Sequence, residues 1–192
     1  MYLFFDTSAI GKPKSWKAPM TDAFSWPRMM HISWLMYDEN RELIGSANDI
    51  IQPVGFTIPE EAEKKHHVTH EEALEKGIPI KESLLKFKNA VDQAKYVISH
   101  NMKFNSCVVG AEMYRKGIDH RLSSSDQYCL MQESTWYTKI VAKGKYRWPS
   151  LQEIHTKMYQ ARYAKAGDAH TDCAVTAILF FALLDIEAIE LF

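Results

Sequence analysis

Three short segments gather the residues with the most chemical potential. Phe4-Phe5-Asp6-Thr7-Ser8-Ala9-Ile10-Gly11 places an acid and two hydroxyls directly after an apolar run. Ser99-His100-Asn101-Met102-Lys103-Phe104-Asn105 offers an imidazole and two amides. Gly167-Asp168-Ala169-His170-Thr171-Asp172-Cys173-Ala174-Val175-Thr176 offers two acids four residues apart and a histidine between them. Carboxylates collected in one place hold hard divalent cations through their oxygens, and a nearby imidazole can move a proton. No other chemistry announces itself. There is no G-x-x-x-x-G-K or G-x-G-x-x-G phosphate loop and no Ser/His/Asp order of a hydrolase.

The three segments occur in the order of the exonuclease motifs of the DnaQ-like (DEDDh) 3'-5' exonuclease family, and they resemble them. In that family the first motif is Asp-x-Glu, the second ends in Asp and the third is His-x4-Asp. The resemblance extends to Trp26-Pro27-Arg28, Pro53 to Pro59, His66-His67-Val68-Thr69 and Trp148-Pro149, which look like a subgroup of bacterial members. It implies a ribonuclease H-like α/β fold, a mixed β-sheet flanked by helices. It also implies a two-metal site in which cations about 3.5–4 Å apart clamp the attacking water and the leaving oxygen.

The motif positions here are Asp6 with Ser8, then Asn105, then Gly167 with Asp172. Two of the four carboxylates remain. Ser8 stands at the place of the Glu, Asn105 at the place of the second Asp, and Gly167 at the place of the general base. The Asn105 amide oxygen is read as a possible neutral metal ligand. The expected cofactor is therefore none, or one weakly bound Mg2+ or Mn2+ between Asp6 and Asp172. Asp168 and His170 are the candidate substitutes. Asp168 can share a helical face with Asp172. A gapped alignment makes His170 a displaced base, but the ungapped one is preferred because it keeps Ala169, Asp172 and Thr176 in register. Thr7, Ser8, His100, Asn101, Phe104 and Asn105 are the candidate ligand-binding residues, with His100 and Asn101 tying the strand end to its neighbours.

The elements that must position these groups can be read from periodicity. Met1 to Phe5 is a continuous apolar strand with no polar face, which suits the middle of a sheet. Met29 to Tyr37 and Glu42 to Ile51 are strands around the turn Asp38 to Arg41. Glu60 to Lys65 is a short helix, and Thr69 with Glu72 opens another as a capping box. Ile80 to Gln93 is amphipathic through Leu84, Leu85, Phe87 and Val91. Tyr96 to Ser99 is a buried strand, and Asn105 to Lys116 is a helix stopped by Gly117. Asp126 to Met131 is a short strand or turn. Ser150 to Tyr159 and Thr171 to Leu184 are helices. Gly11 to Pro27 and Lys139 to Arg147 are loops.

Composition sets the outer bounds. The 192 residues are expected to form one domain spanning 1–192, and 46% apolar content excludes a disordered chain. A formal net charge of -1 restricts any nucleic-acid binding to local patches. Cys107, Cys129 and Cys173 have no metal or CxxC spacing, read as buried small hydrophobes, and suit a reducing cytoplasm. The N-terminus lacks the pattern of a signal peptide, and the longest apolar run, Ala174 to Leu184, is too short to span a bilayer. No membrane association is expected.

Other residues carry open alternatives. Lys139, Lys143, Lys145 and Arg147, interleaved with Tyr146 and Trp148, could grip a phosphate backbone and stack a base. The preferred reading is a solvated loop that Trp148 anchors to the core. Lys12, Lys14, Trp16 and Lys17 pose the same choice. His66, His67 and His70 have poor zinc spacing and are read as surface histidines. Three functions follow: a catalytically impaired relative that binds nucleotide, single-stranded nucleic acid or a partner in the old cleft; an active 3'-5' exonuclease with a rearranged site; or an interaction protein with exposed tryptophans between Gly11 and Pro27.

Overall fold

The computed structural model describes residues 1–191. Five strands form one sheet in the order β3-β2-β1-β4-β5. They are β1 Tyr2–Ala9, β2 Met29–Tyr37, β3 Leu43–Ile50, β4 Tyr96–Ser99 and β5 Asp126–Cys129. The pairs β1/β2 and β2/β3 are antiparallel, and β1/β4 and β4/β5 are parallel. The helices are α1 Glu60–His66, α2 His70–Lys76, α3 Ile80–Gln93, α4 Met102–Arg115, α5 Leu130–Glu133, α6 Thr135–Thr138, α7 Leu151–Tyr159 and α8 Ala169–Asp185. A second, two-stranded ribbon joins β6 Val141–Ala142 to β7 Lys145–Tyr146. This is the mixed-sheet α/β architecture, ribonuclease H-like, that the sequence implies.

Strand β1 sits in the middle of the sheet because both of its faces are apolar. Leu3 and Phe5 point to a core shared with Leu84 and Phe87 of α3 and Val108 of α4. Phe4 points the other way, to Leu179, Phe180 and Leu183 of α8. Successive side chains alternate across a strand, so one uninterrupted apolar run serves both layers. Helix α8 reads as apolar nearly all round because it is covered by the sheet on one side and packs with α7 residues such as Ile154. A third, smaller core of Met30, Ile58, Ala62, Val68 and Ala73 fixes α1 and α2 against β2.

Several element boundaries differ from the sequence expectation. Strand β1 continues through the polar residues to Ala9, with Asp6 opposite Ser33 and Ser8 opposite His31. Backbone pairing to β2 holds those residues extended. Helix α4 begins at Met102, one turn before Asn105, because the Asn101 side chain accepts from the Phe104 N–H as its N-cap. Lys139 to Arg147 is the β6/β7 ribbon and not an open loop. Trp26 is buried, with its Nε1 donating to the Pro19 carbonyl at 3.1 Å, so of the two tryptophans in the Gly11–Pro27 segment only Trp16 is exposed. Among the described residues no helix is long and apolar enough to cross a membrane.

Candidate functional site

The three motif segments converge at the end of β1 where it meets the N-terminus of α8. Asp6 and Ser8 project from β1 on the α8 side, as the alternation from Phe4 requires. Asn105 reaches the same point from the second turn of α4. Its Nδ2 donates to Asp6 Oδ1 at 2.7 Å and to Ser99 Oγ at 2.6 Å. Its Oδ1 accepts from the Thr7 N–H at 3.2 Å and the Thr7 hydroxyl at 2.6 Å. A backbone N–H can only donate, so the amide oxygen must face Thr7 and the amide nitrogen must face Asp6. The Asn105 oxygen expected as a neutral metal ligand already accepts these two hydrogen bonds from Thr7.

On the α8 side, Asp172 accepts from the Tyr163 hydroxyl at 2.8 Å and from the Gly167 N–H at 3.0 Å. Asp168, expected as a substitute ligand, is the N-cap of α8. Its Oδ1 accepts from the Thr171 N–H and hydroxyl, both at 2.8 Å. His170, expected as a displaced base, leans to β2, where its Nδ1 lies 3.1 Å from Ser33 Oγ. Ser33 Oγ is also 3.1 Å from the Ala47 carbonyl. If its one proton goes there, His170 Nδ1 is the donor to the hydroxyl.

Gly167 explains why no base stands at its position. Its φ is +98°, a region closed to most side chains, and a Cβ placed there would lie 2.5 Å from the Lys65 carbonyl oxygen. The C-terminal end of α1 occupies the space a side chain would need. From that end comes a residue that sequence reasoning placed on the surface. His66 is buried, and its Nδ1 lies 2.7 Å from the Gly167 carbonyl. A carbonyl only accepts, so Nδ1 carries the proton and the neutral ring keeps its lone pair on Nε2. The Ser8 hydroxyl also approaches the Gly167 carbonyl, at 3.4 Å. Burial pushes the His66 pKa down, with the Gly167 carbonyl opposing it. The sequence signal for His66 was weak: it closes a short helix whose packing partner lies 101 residues away.

The electrostatics follow the geometry. Asp6 is held well above the usual carboxylate range, first by burial and then by the Asp172 charge, with the Asn105 amide opposing both. Burial also raises Asp172, against the Tyr163 and Gly167 hydrogen bonds. Burial pushes Asp168 up too, but its Thr171 hydrogen bonds outweigh this and leave it below the usual range. His100, beside the Pro149 carbonyl, is lowered to about 4 by burial.

These donors do not fit a pair of divalent cations. Asp6 and Asp172 are the only motif carboxylates. Both Asp172 oxygens and one Asp6 oxygen already accept hydrogen bonds. Among the described residues no group of three or more His, Cys, Asp or Glu side chains has an arrangement that could hold a metal ion. A cation pair carries +4, and hard cations need several oxygen ligands apiece.

The class is thus a ribonuclease H-like α/β protein, and solved structures agree. E. coli exonuclease I in complex with a dT13 oligonucleotide matches with a TM-score of 0.74 at 17% identity, over 95% of this chain and 40% of that one. Apo exonuclease I gives 0.73 at 15% identity, over 96% and 42%. A product-bound exonuclease I gives 0.72 at 16%, over 96% and 43%. This chain spans about two-fifths of the length of those it matches. Likeness at such low identity shows the fold. No protein-family model matches the chain, and no curated protein does.

Proposed function

We propose that this chain is a catalytically impaired relative of the DnaQ-like 3'-5' exonucleases that binds a nucleotide or the end of a single strand in the former active-site cleft. The observation that carries the reading is the Asn105 bridge. Its amide ties Asp6 to Thr7 and Ser99, so the opening acid serves a hydrogen-bond network where an active site would hold cations. A cleft with two motif carboxylates, one hydrogen-bonded to an amide, repels phosphate less than one with four. At most one Mg2+ or Mn2+ is held weakly between Asp6 and Asp172. The test is incubation of an end-labelled single-stranded oligonucleotide with the protein and Mn2+. Binding by fluorescence anisotropy without shortening is expected. Shortening that Asp6→Ala abolishes overturns the reading.

One observation favours an active site of rearranged form. His66 brings a neutral imidazole, with Nε2 unprotonated, next to the glycine that replaces the base. If the wild type shortens the oligonucleotide, His66→Ala removes that activity on this second reading, whereas His170→Ala does not.

A further inference from the structure

The segment from Ser134 to Pro149 contains Lys139, Lys143, Lys145 and Arg147 and no acidic residue, in a chain whose formal net charge is -1. It folds into the β6/β7 hairpin, with Val141 opposite Tyr146 and Ala142 opposite Lys145. The two-residue turn is Lys143-Gly144, with φ of 51° and 75°. Positive φ at both positions matches the twist of the flanking strands, which fixes the hairpin's shape. Lys139 closes α6 at φ 52°. Lysine therefore occupies left-handed backbone twice, at positions where glycine or asparagine is the easier choice.

Three of the four aromatic residues of this segment face solvent, and the fourth, Tyr137, packs against the core. Trp136 is 71% exposed, Trp148 57% and Tyr146 43%. Trp148 therefore does not anchor the hairpin to the core. The Trp136 and Tyr146 rings meet edge to face, 5.3 Å apart and 82° between planes. With Thr135, Val141 and Lys145 they line an open concavity of about 560 Å³. Arg147 is committed to Glu153 through two hydrogen bonds of 2.5 and 2.9 Å and braces the hairpin against α7. Lys139, Lys143 and Lys145 enter no ion pair among the described residues. Aromatic faces left in water beside unpaired lysines fit a ligand that is flat, apolar on its faces and negatively charged along its backbone.

We propose that the β6/β7 hairpin is a platform for single-stranded nucleic acid, on which Trp136 and Tyr146 stack an unpaired base while Lys143 and Lys145 contact the flanking phosphates. A duplex hides its base faces in the stack, and an acidic peptide has no flat face for the aromatic corner; a single strand supplies both features. Beyond β7 the chain passes Trp148 to Pro149, whose carbonyl meets the His100 ring just after β4. The platform deepens the nucleic-acid reading given above and requires no catalysis.

The test uses a fluorescein-labelled oligo(dT) carrying 5-iododeoxyuridine. Trp136→Ala with Tyr146→Ala is expected to weaken binding about tenfold or more, the effect of losing one base stack. Lys143→Glu with Lys145→Glu is expected to weaken it and to flatten its salt dependence. All four side chains are exposed, so unchanged thermal melting serves as the folding control. Photocross-links are expected in the peptide spanning residues 134–149. Unchanged affinity in both double variants, with cross-links confined to β1 and α8, overturns the platform and leaves the cleft reading standing. Cross-links confined to the hairpin support the platform and remove the cleft reading. Equal binding of duplex DNA, tighter binding of polyglutamate, or no binding of oligo(dT) each overturns it.

Discussion

Asn105 donates its amide to the Asp6 carboxylate at 2.7 Å while its oxygen accepts from Thr7 on the same strand. An amide has nearly the shape of a carboxylate but not its hydrogen-bonding sense. An acid at 105 would offer Asp6 a second acceptor, and only a cation or a proton could hold the two together. The amide holds Asp6 with neither. One atom type thus converts a charge pair that needs a counterion into a closed donor–acceptor network.

Asn105→Asp is therefore expected to destabilise the protein by roughly 2 kcal/mol or more at neutral pH. It loses the donors to Asp6 and Ser99 and places a carboxylate against a carboxylate. The cost should shrink as the pH falls, because one proton shared by the two acids restores a donor. Urea denaturation of both proteins across a pH series measures this. A penalty independent of pH would show that lost packing, and not charge, is the cause.

Asp6 carries a stability cost of its own. Burial and Asp172 hold its folded pKa above the ordinary carboxylate value, so the native state binds the proton more tightly than the unfolded chain. A group raised in this way contributes its full stability below the unfolded value, near 3.9, and that contribution is lost as the pH rises through the folded value. Asp6→Asn removes the titration and keeps an oxygen for Asn105. It is expected to be more stable than the wild type at neutral pH, by about 1.4 kcal/mol for each unit by which the pKa is raised, with the difference closing towards pH 4. Melting temperatures over that range check the sign. A destabilising effect at neutral pH would refute the assignment.

How much of this was readable beforehand depended on distance along the chain. The apolar run Leu3 to Phe5 and the amphipathic stripe of α3 are local patterns, and each gave its element, whereas the Asn101 cap that starts α4 at Met102 went unread. The motif residues also converge as their order implied, because strand ends and helix starts in such a sheet meet at one edge. What could not be read was how long-range hydrogen bonds use each side chain. Periodicity does not show that Thr171 occupies one of the two Asp168 oxygens, or that His170 Nδ1 lies against Ser33, 137 residues away. His66 was invisible for the same reason: nothing within α1 indicates that its partner is the Gly167 carbonyl.

Glu112 anchors the segment that carries Trp16 and Trp26. It is fully buried and accepts from Arg28 Nε at 2.8 Å and from the Met29 N–H at 3.1 Å, with Arg115 at 3.0 Å. Arg115 in turn donates to the carbonyls of Ala23 and Trp26. Removing Glu112 from this network leaves two half-buried cations uncompensated. Glu112→Ala is expected to cost about 3–5 kcal/mol. The Gly11–Pro27 segment should also become more sensitive to protease than the rest of the chain, which limited proteolysis followed by mass spectrometry will read.

Gly167 sets a limit on rebuilding the site. The simplest restoration would write Ser8→Glu, Asn105→Asp and Gly167→His, but the last change meets two obstacles that the first two do not. The backbone at 167 is at φ +98°, and the new Cβ would sit 2.5 Å from the Lys65 carbonyl, a backbone atom that can yield only if α1 moves. Gly167→Ala isolates that cost from the imidazole and is expected to destabilise by about 2 kcal/mol or more. His66, which donates to the Gly167 carbonyl, should then lose its buried position, and its pKa should rise from its lowered value towards the ordinary 6.5. NMR titration of the His66 ring in Gly167→Ala measures this directly. If the ring titrates as in the wild type and stability is unchanged, α1 yields freely and Gly167 is no barrier to a base at this position.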